Sequence, residues 1–128
     1  MNKIFLVIAA VLGGLAVALG AFGAHGLKKI VPPETVATYQ TGVQYQMYHA
    51  LALLLLGILS ERLSNGFITY SGVFFIAGII CFSGSLYLIV SLNAFNKIVP
   101  TAVGIITPVG GLFFIIGWLL LIIGVLNK

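Results

Sequence analysis

A chain of 128 residues is one domain by length, and its 61% hydrophobic and 6% charged content departs far from soluble proteins, where apolar residues are roughly half and charged ones about a quarter. A mean hydropathy of +1.23 means more apolar surface than a small soluble domain can hide, and it excludes disorder, which needs low hydrophobicity and many charges. The net charge of +4 comes from six scattered Lys and Arg residues, without the basic cluster that nucleic-acid binding requires.

A helix crossing a ~30 Å hydrocarbon core needs about 20 mostly apolar residues. The first such segment, about residues 4–27, is uncharged. Met1–Lys3 and Ala18-Leu19-Gly20 look like a leader and its cleavage site, but the apolar stretch exceeds the roughly 7–15 residues of a signal core, so a retained helix is expected. Ala10, Gly14 and Ala18, and Ala16, Gly20 and Ala24, recur in it at spacings of four, and His25 follows between glycines 23 and 26. Pro32 and Pro33 preclude regular helix through the first connection. Glu34 and Thr35 then suit the opening turn of a new helix.

The second segment is polar in its first half and purely apolar only over Ala50–Leu59. It reads as a span over about 41–60, with 35–44 either lying along the interface or burying its side chains against other helices. Ser64, Asn65 and Gly66 signal a turn before the third segment, about 67–92, and the fourth runs over about 101–126. Ser71, Gly78 and Ser85 in the third, and Gly110, Gly117 and Gly124 in the fourth, repeat every seven residues, as do Gly104 and Gly111. That period holds small side chains on one face and favours left-handed crossings, within a tight bundle or between copies in a homo-oligomer. Pro108 frees the carbonyl of Gly104 and predicts a kink. With four spans, Lys3, Arg62 and Lys128 oppose Lys28, Lys29 and Lys97, so the positive-inside bias cancels. The expected fold is an all-α membrane protein: a four-transmembrane-helix bundle with short loops, in one domain over 1–128.

The chemistry concentrates on one helical face. Thr38, Thr41, Tyr45, His49 and Ala52 follow spacings of three or four, and an ionisable group inside the hydrocarbon region is a site hypothesis by default. Two histidines on two helices suit haem in principle. A simple hairpin, however, leaves His49 about 15–20 Å deeper than His25, and only an interfacial bend in the second helix would join them. The carboxylates Glu34 and Glu61 fall in loops on opposite sides, so no acid–base pair exists and an enzyme is not expected. A lone Cys81 makes neither an internal disulfide nor a Cys-rich metal site. The glycines lack a phosphate-loop signature.

The strings GAFGAHGL (Gly20–Leu27), YQMYHALALL (Tyr45–Leu54), FSGSLY (Phe82–Tyr87) and ITPVGG (Ile106–Gly111) occur in order, one from each span. Together they resemble a bacterial membrane family, domain of unknown function 423. The resemblance implies a four-helix protein of the bacterial cytoplasmic (inner) membrane and no stated activity. It adds His25, Gln46, Tyr48, His49, Ser83, Ser85, Thr107 and Pro108 as site candidates beside Tyr45. Two readings remain: a protein that binds or passes a small polar or lipid-like ligand at an interior His/Tyr/Gln site, or a structural or assembly subunit packing against itself or a membrane partner. A haem or quinone protein is a third, lesser one.

Overall fold

The computed structural model describes all 128 residues, as helices joined by short connections. α1 covers Lys3–His25, α2 Pro33–Leu59, α3 Gly66–Gly78, α4 Gly84–Ala94 and α5 Thr101–Leu126. A π-helical segment, Ile79–Ser83, splices α3 to α4 in a single rod. Four helices are therefore long and apolar enough to cross a membrane: Lys3–Lys29, Pro33–Leu59, Gly66–Ala94 and Thr101–Leu126. The all-α, four-span fold expected from composition is the one observed.

Helix ends follow local chemistry. The side chains of Asn2 and Asn65 accept from the first free amides of α1 and α3. Pro32 and Pro33 start α2 where missing N–H groups cost nothing. Asn96, in the left-handed region at φ 56°, ends α4 while Lys97 donates back to the Leu92 carbonyl. α2 runs unbroken from Pro33 to Leu59, so residues 35–44 continue the axis of the span.

α1 and α2 form an antiparallel pair. At one end the Asn2 amide donates to the Gly57 carbonyl at 2.9 Å, and at the other Gly23 lies under the Tyr39 ring. The third span runs back along α2, and α5 packs against the third span, with aromatic side chains reaching α2. A core of Phe5, Leu53, Leu56, Ile68, Phe75 and Ile79 fills the space between α1, α2 and α3. A second cluster, including Ala16, Leu27, Tyr39 and Val90, fills the other end.

The seven-residue glycine ridge of α5 is spent inside the chain. A Cβ on Gly110 would land on the backbone of Phe82, one on Gly117 would meet the Phe75 ring, and one on Gly124 would meet Ile68. Gly78 answers from α3, where Phe114 covers it. The other row does not pack: Gly104 has nothing within 4 Å, and the nearest atom to Gly111 is on Phe82 at 3.9 Å. On α1 the Ala16–Gly20 row meets α2, with Gly20 3.3 Å from Val43, whereas Ala10, Gly14 and Ala18 face outward. α5 continues through Pro108.

Candidate functional site

The interior polar residues are hydrogen-bonded across helices, and most donate to backbone carbonyls. From α2, Tyr39 donates to Leu19 O at 2.6 Å and Gln46 Nε2 to Leu12 O at 2.8 Å, both on α1. Ser83 donates to Gly42 O and Ser71 to Gly117 O, each at 2.7 Å. Asn65 Nδ2 reaches Gly124 O at 2.9 Å. Side-chain pairs add to these: Tyr87 Oη donates to Gln46 Oε1, and Ser85 shares a bond with Thr107, both at 2.6 Å. No buried side-chain nitrogen or oxygen lacks a partner. Serine and tyrosine hydroxyls reach these carbonyls because small residues such as Gly42 and Gly117 let the backbones approach. The π segment contributes here, since its wider turn aims Ser83 at α2 while Phe82 stays beside α5.

His49 lies midway along α2 and is only 4% exposed. Its ring stacks on Phe114 with centroids 3.6 Å apart and planes at 10°, and Phe75 meets it edge-on at 5.3 Å. Nδ1 sits 2.8 Å from the Tyr45 carbonyl, which can only accept, so Nδ1 carries the proton. Nε2 is then a lone pair, and the Trp118 indole N–H donates to it at 3.1 Å. Both nitrogens are engaged, so His49 as it stands offers no free lone pair to a metal or haem. No three His, Cys, Asp or Glu side chains converge elsewhere.

Beside this cluster a groove of about 590 Å³ runs between α2 and α5. Tyr45, His49, Phe82 and Phe114 form its floor, and Pro108, Gly111, Leu112, Ile115 and Trp118 form its α5 wall. It centres on the middle of both helices and extends about 15 Å along α5, from Pro108 to Trp118. Leu112 and Ile115 are more than half exposed, and Tyr45 and Trp118 slightly less, so the groove opens sideways from the bundle rather than toward an end.

The structure separates the residues that the sequence singled out. Tyr45 and His49 share the groove. Gln46, Ser83, Ser85 and Thr107 belong to the interhelical bonds. Tyr48 points out of the bundle, 55% exposed, with its ring against Tyr45. His25 is exposed at the end of α1, its Nδ1 bonded to Ala21 O. Gly23 marks the level of Tyr39, and His49 lies ten residues beyond Tyr39 on an unbroken helix, about 15 Å deeper. The two histidines therefore do not face each other. The interior polar candidates are bonded mainly to backbone carbonyls of neighbouring helices, and the open space lies at the side, walled by aromatic groups. Trp118, Phe82 and Phe114 were missed. A usable signal existed for Trp118, because the one tryptophan sits well inside a span, away from the interface that tryptophan favours.

Comparison with known proteins fits this architecture. The family model described as "Protein of unknown function (DUF423)" matches residues 19–111. The chain is 43% identical over 122 residues to "UPF0382 membrane protein YwdK" of Bacillus subtilis, covering 94% of each chain. It is 42% identical over 121 residues to "UPF0382 membrane protein SAB0533" of Staphylococcus aureus, covering 94% of this chain and 93% of the relative. It is 38% identical over 130 residues to "UPF0382 inner membrane protein YgdD" of Escherichia coli, covering 98% of this chain and 92% of the relative. No solved structure matches. With four apolar helices, small-residue packing and these relatives, the chain belongs to the DUF423 family of multi-pass inner-membrane proteins.

Proposed function

We propose that the protein binds an apolar, lipid-like tail in the lateral groove between α2 and α5. The observation that carries this reading is the groove itself: about 590 Å³, within the range of roughly 300–1,000 Å³ typical of small-ligand sites, with aromatic and aliphatic walls and a mouth that opens sideways from the bundle. The paired state of the interior argues against the other half of the expectation, passage of a polar solute. A polar path needs groups free to exchange partners, and every buried side-chain polar atom already has one. Gly111 offers the test, since a Cβ there meets only Phe82 at 3.9 Å and a larger side chain would project into the groove. Protein purified in mild detergent should retain a defined lipid or apolar metabolite by mass spectrometry, and Gly111→Leu should lose it. Equal retention by both proteins would reject the reading.

A second reading, self-association through α1, is favoured by the outward row Ala10, Gly14 and Ala18, with nothing within 4 Å of Gly14. In native mass spectrometry it requires a dimer that Gly14→Ile converts to monomer.

A further inference from the structure

The Trp118–His49 bond is the one side-chain hydrogen bond between α2 and α5. Its chemistry depends on a single tautomer. Because Nδ1 donates to the Tyr45 carbonyl, the bond to Trp118 exists only while Nε2 is an unprotonated acceptor. We infer that this pair is an acid-releasable clasp on the groove: a proton added at Nε2 sets two N–H donors against each other, and Trp118 must turn away.

The surroundings define what happens next. The proton comes from bulk acid and forms imidazolium at Nε2, with no other bond made or broken. Trp118 is 44% exposed and stands in the groove wall, so it has room to swing outward. His49 stays in place, because Nδ1 keeps its carbonyl and the Phe114 face stacked on it attracts a cation. Tyr45 of α2 is the only titratable group against His49; α3 presents Phe75, and α5 presents Phe114 and Trp118. The carboxylates of Glu34 and Glu61 lie exposed at the two ends of α2, so no acidic partner holds the imidazolium. Release of Trp118 widens the mouth of the groove. That consequence rests on the lipid-tail reading above, whereas the clasp does not.

The chain has one tryptophan, so its emission reports this contact alone. The test uses the full chain in dioleoylphosphatidylcholine vesicles, with and without acyl-brominated phosphatidylcholine, titrated from about pH 8 to about pH 5, the range in which histidine ordinarily changes charge. The control is His49→Gln, whose amide keeps an acceptor for the indole and a donor for the Tyr45 carbonyl but does not titrate. Wild type should show a sigmoidal shift in Trp118 emission and stronger quenching by the brominated chains in acid, while His49→Gln stays flat in both. A wild-type curve superimposable on that of His49→Gln would overturn the clasp. A measurement that needs no change at His49 is imidazole-nitrogen NMR of the His25→Gln protein, in which His49 is the sole histidine. It should give the Nδ1–H tautomer at about pH 8 and the doubly protonated ring at the acid end of the Trp118 transition; an Nε2–H tautomer, or a Trp118 transition without protonation of the ring, would overturn it too. Failure of the lipid-tail reading is distinct: Gly111→Leu would retain the same lipid while the acid response of Trp118 persisted.

Discussion

At the residue scale, the polar side chains of this protein act mainly as staples. Within a lipid environment helices gain nothing from excluding water, so close packing and interhelical hydrogen bonds supply the attraction. Ser71→Ala removes one bond to the Gly117 carbonyl and should cost about 0.6 kcal/mol, at most roughly 1.7. Gln46→Leu is expected to cost more, about 1–3 kcal/mol, because it leaves the Tyr87 hydroxyl without its acceptor. Tyr45→Phe should leave stability unchanged, since the Tyr45 ring packs against Phe82 with centroids 4.8 Å apart and its hydroxyl takes no part in the interhelical bonds. Reversible unfolding in mixed detergent micelles gives all three values. The polar residues themselves were legible in the sequence, but their pairings were not. The acceptors at Leu12, Leu19, Gly42 and Gly117 are backbone carbonyls, and every residue carries one, so no residue type marks them.

At the element scale, the seven-residue repeat of α5 was legible because its physical cause is periodic. Residues seven apart stay on one face, and only a glycine lets α5 approach the third span at Gly110. Gly110→Ala pushes a methyl group against the backbone of Phe82, which cannot rotate aside as a side chain can, and should destabilise by about 1–3 kcal/mol. Gly104→Ala, with open space around it, should be neutral or stabilise by up to about 1 kcal/mol through reduced chain entropy. Thermal unfolding of the two variants in one detergent separates a packing ridge from a lipid-facing row of the same spacing. The π segment left no comparable trace. An Ile79–Ser83 turn of five residues has the composition of any apolar helix, and the reason for its geometry lies in what it meets, Gly42 on one side and α5 on the other.

At the scale of the whole molecule, four crossings follow from hydropathy alone, while the groove follows from how α2 and α5 face each other. These helices meet through aromatic side chains instead of backbone contact, and the gap they leave is the groove. Tyr45 and His49 pointed to its floor through their shared helical face, but its far wall comes from a helix about 60 residues later whose apolar residues look alike in the sequence. On the lipid-tail reading, acyl chains fill this groove at neutral pH. Trp118 fluorescence in proteoliposomes at neutral pH tests that claim most directly: acyl-brominated phospholipids should quench the emission strongly and aqueous iodide should not, whereas quenching by iodide with no effect of the brominated chains would mean that water, not lipid, fills the space beside His49.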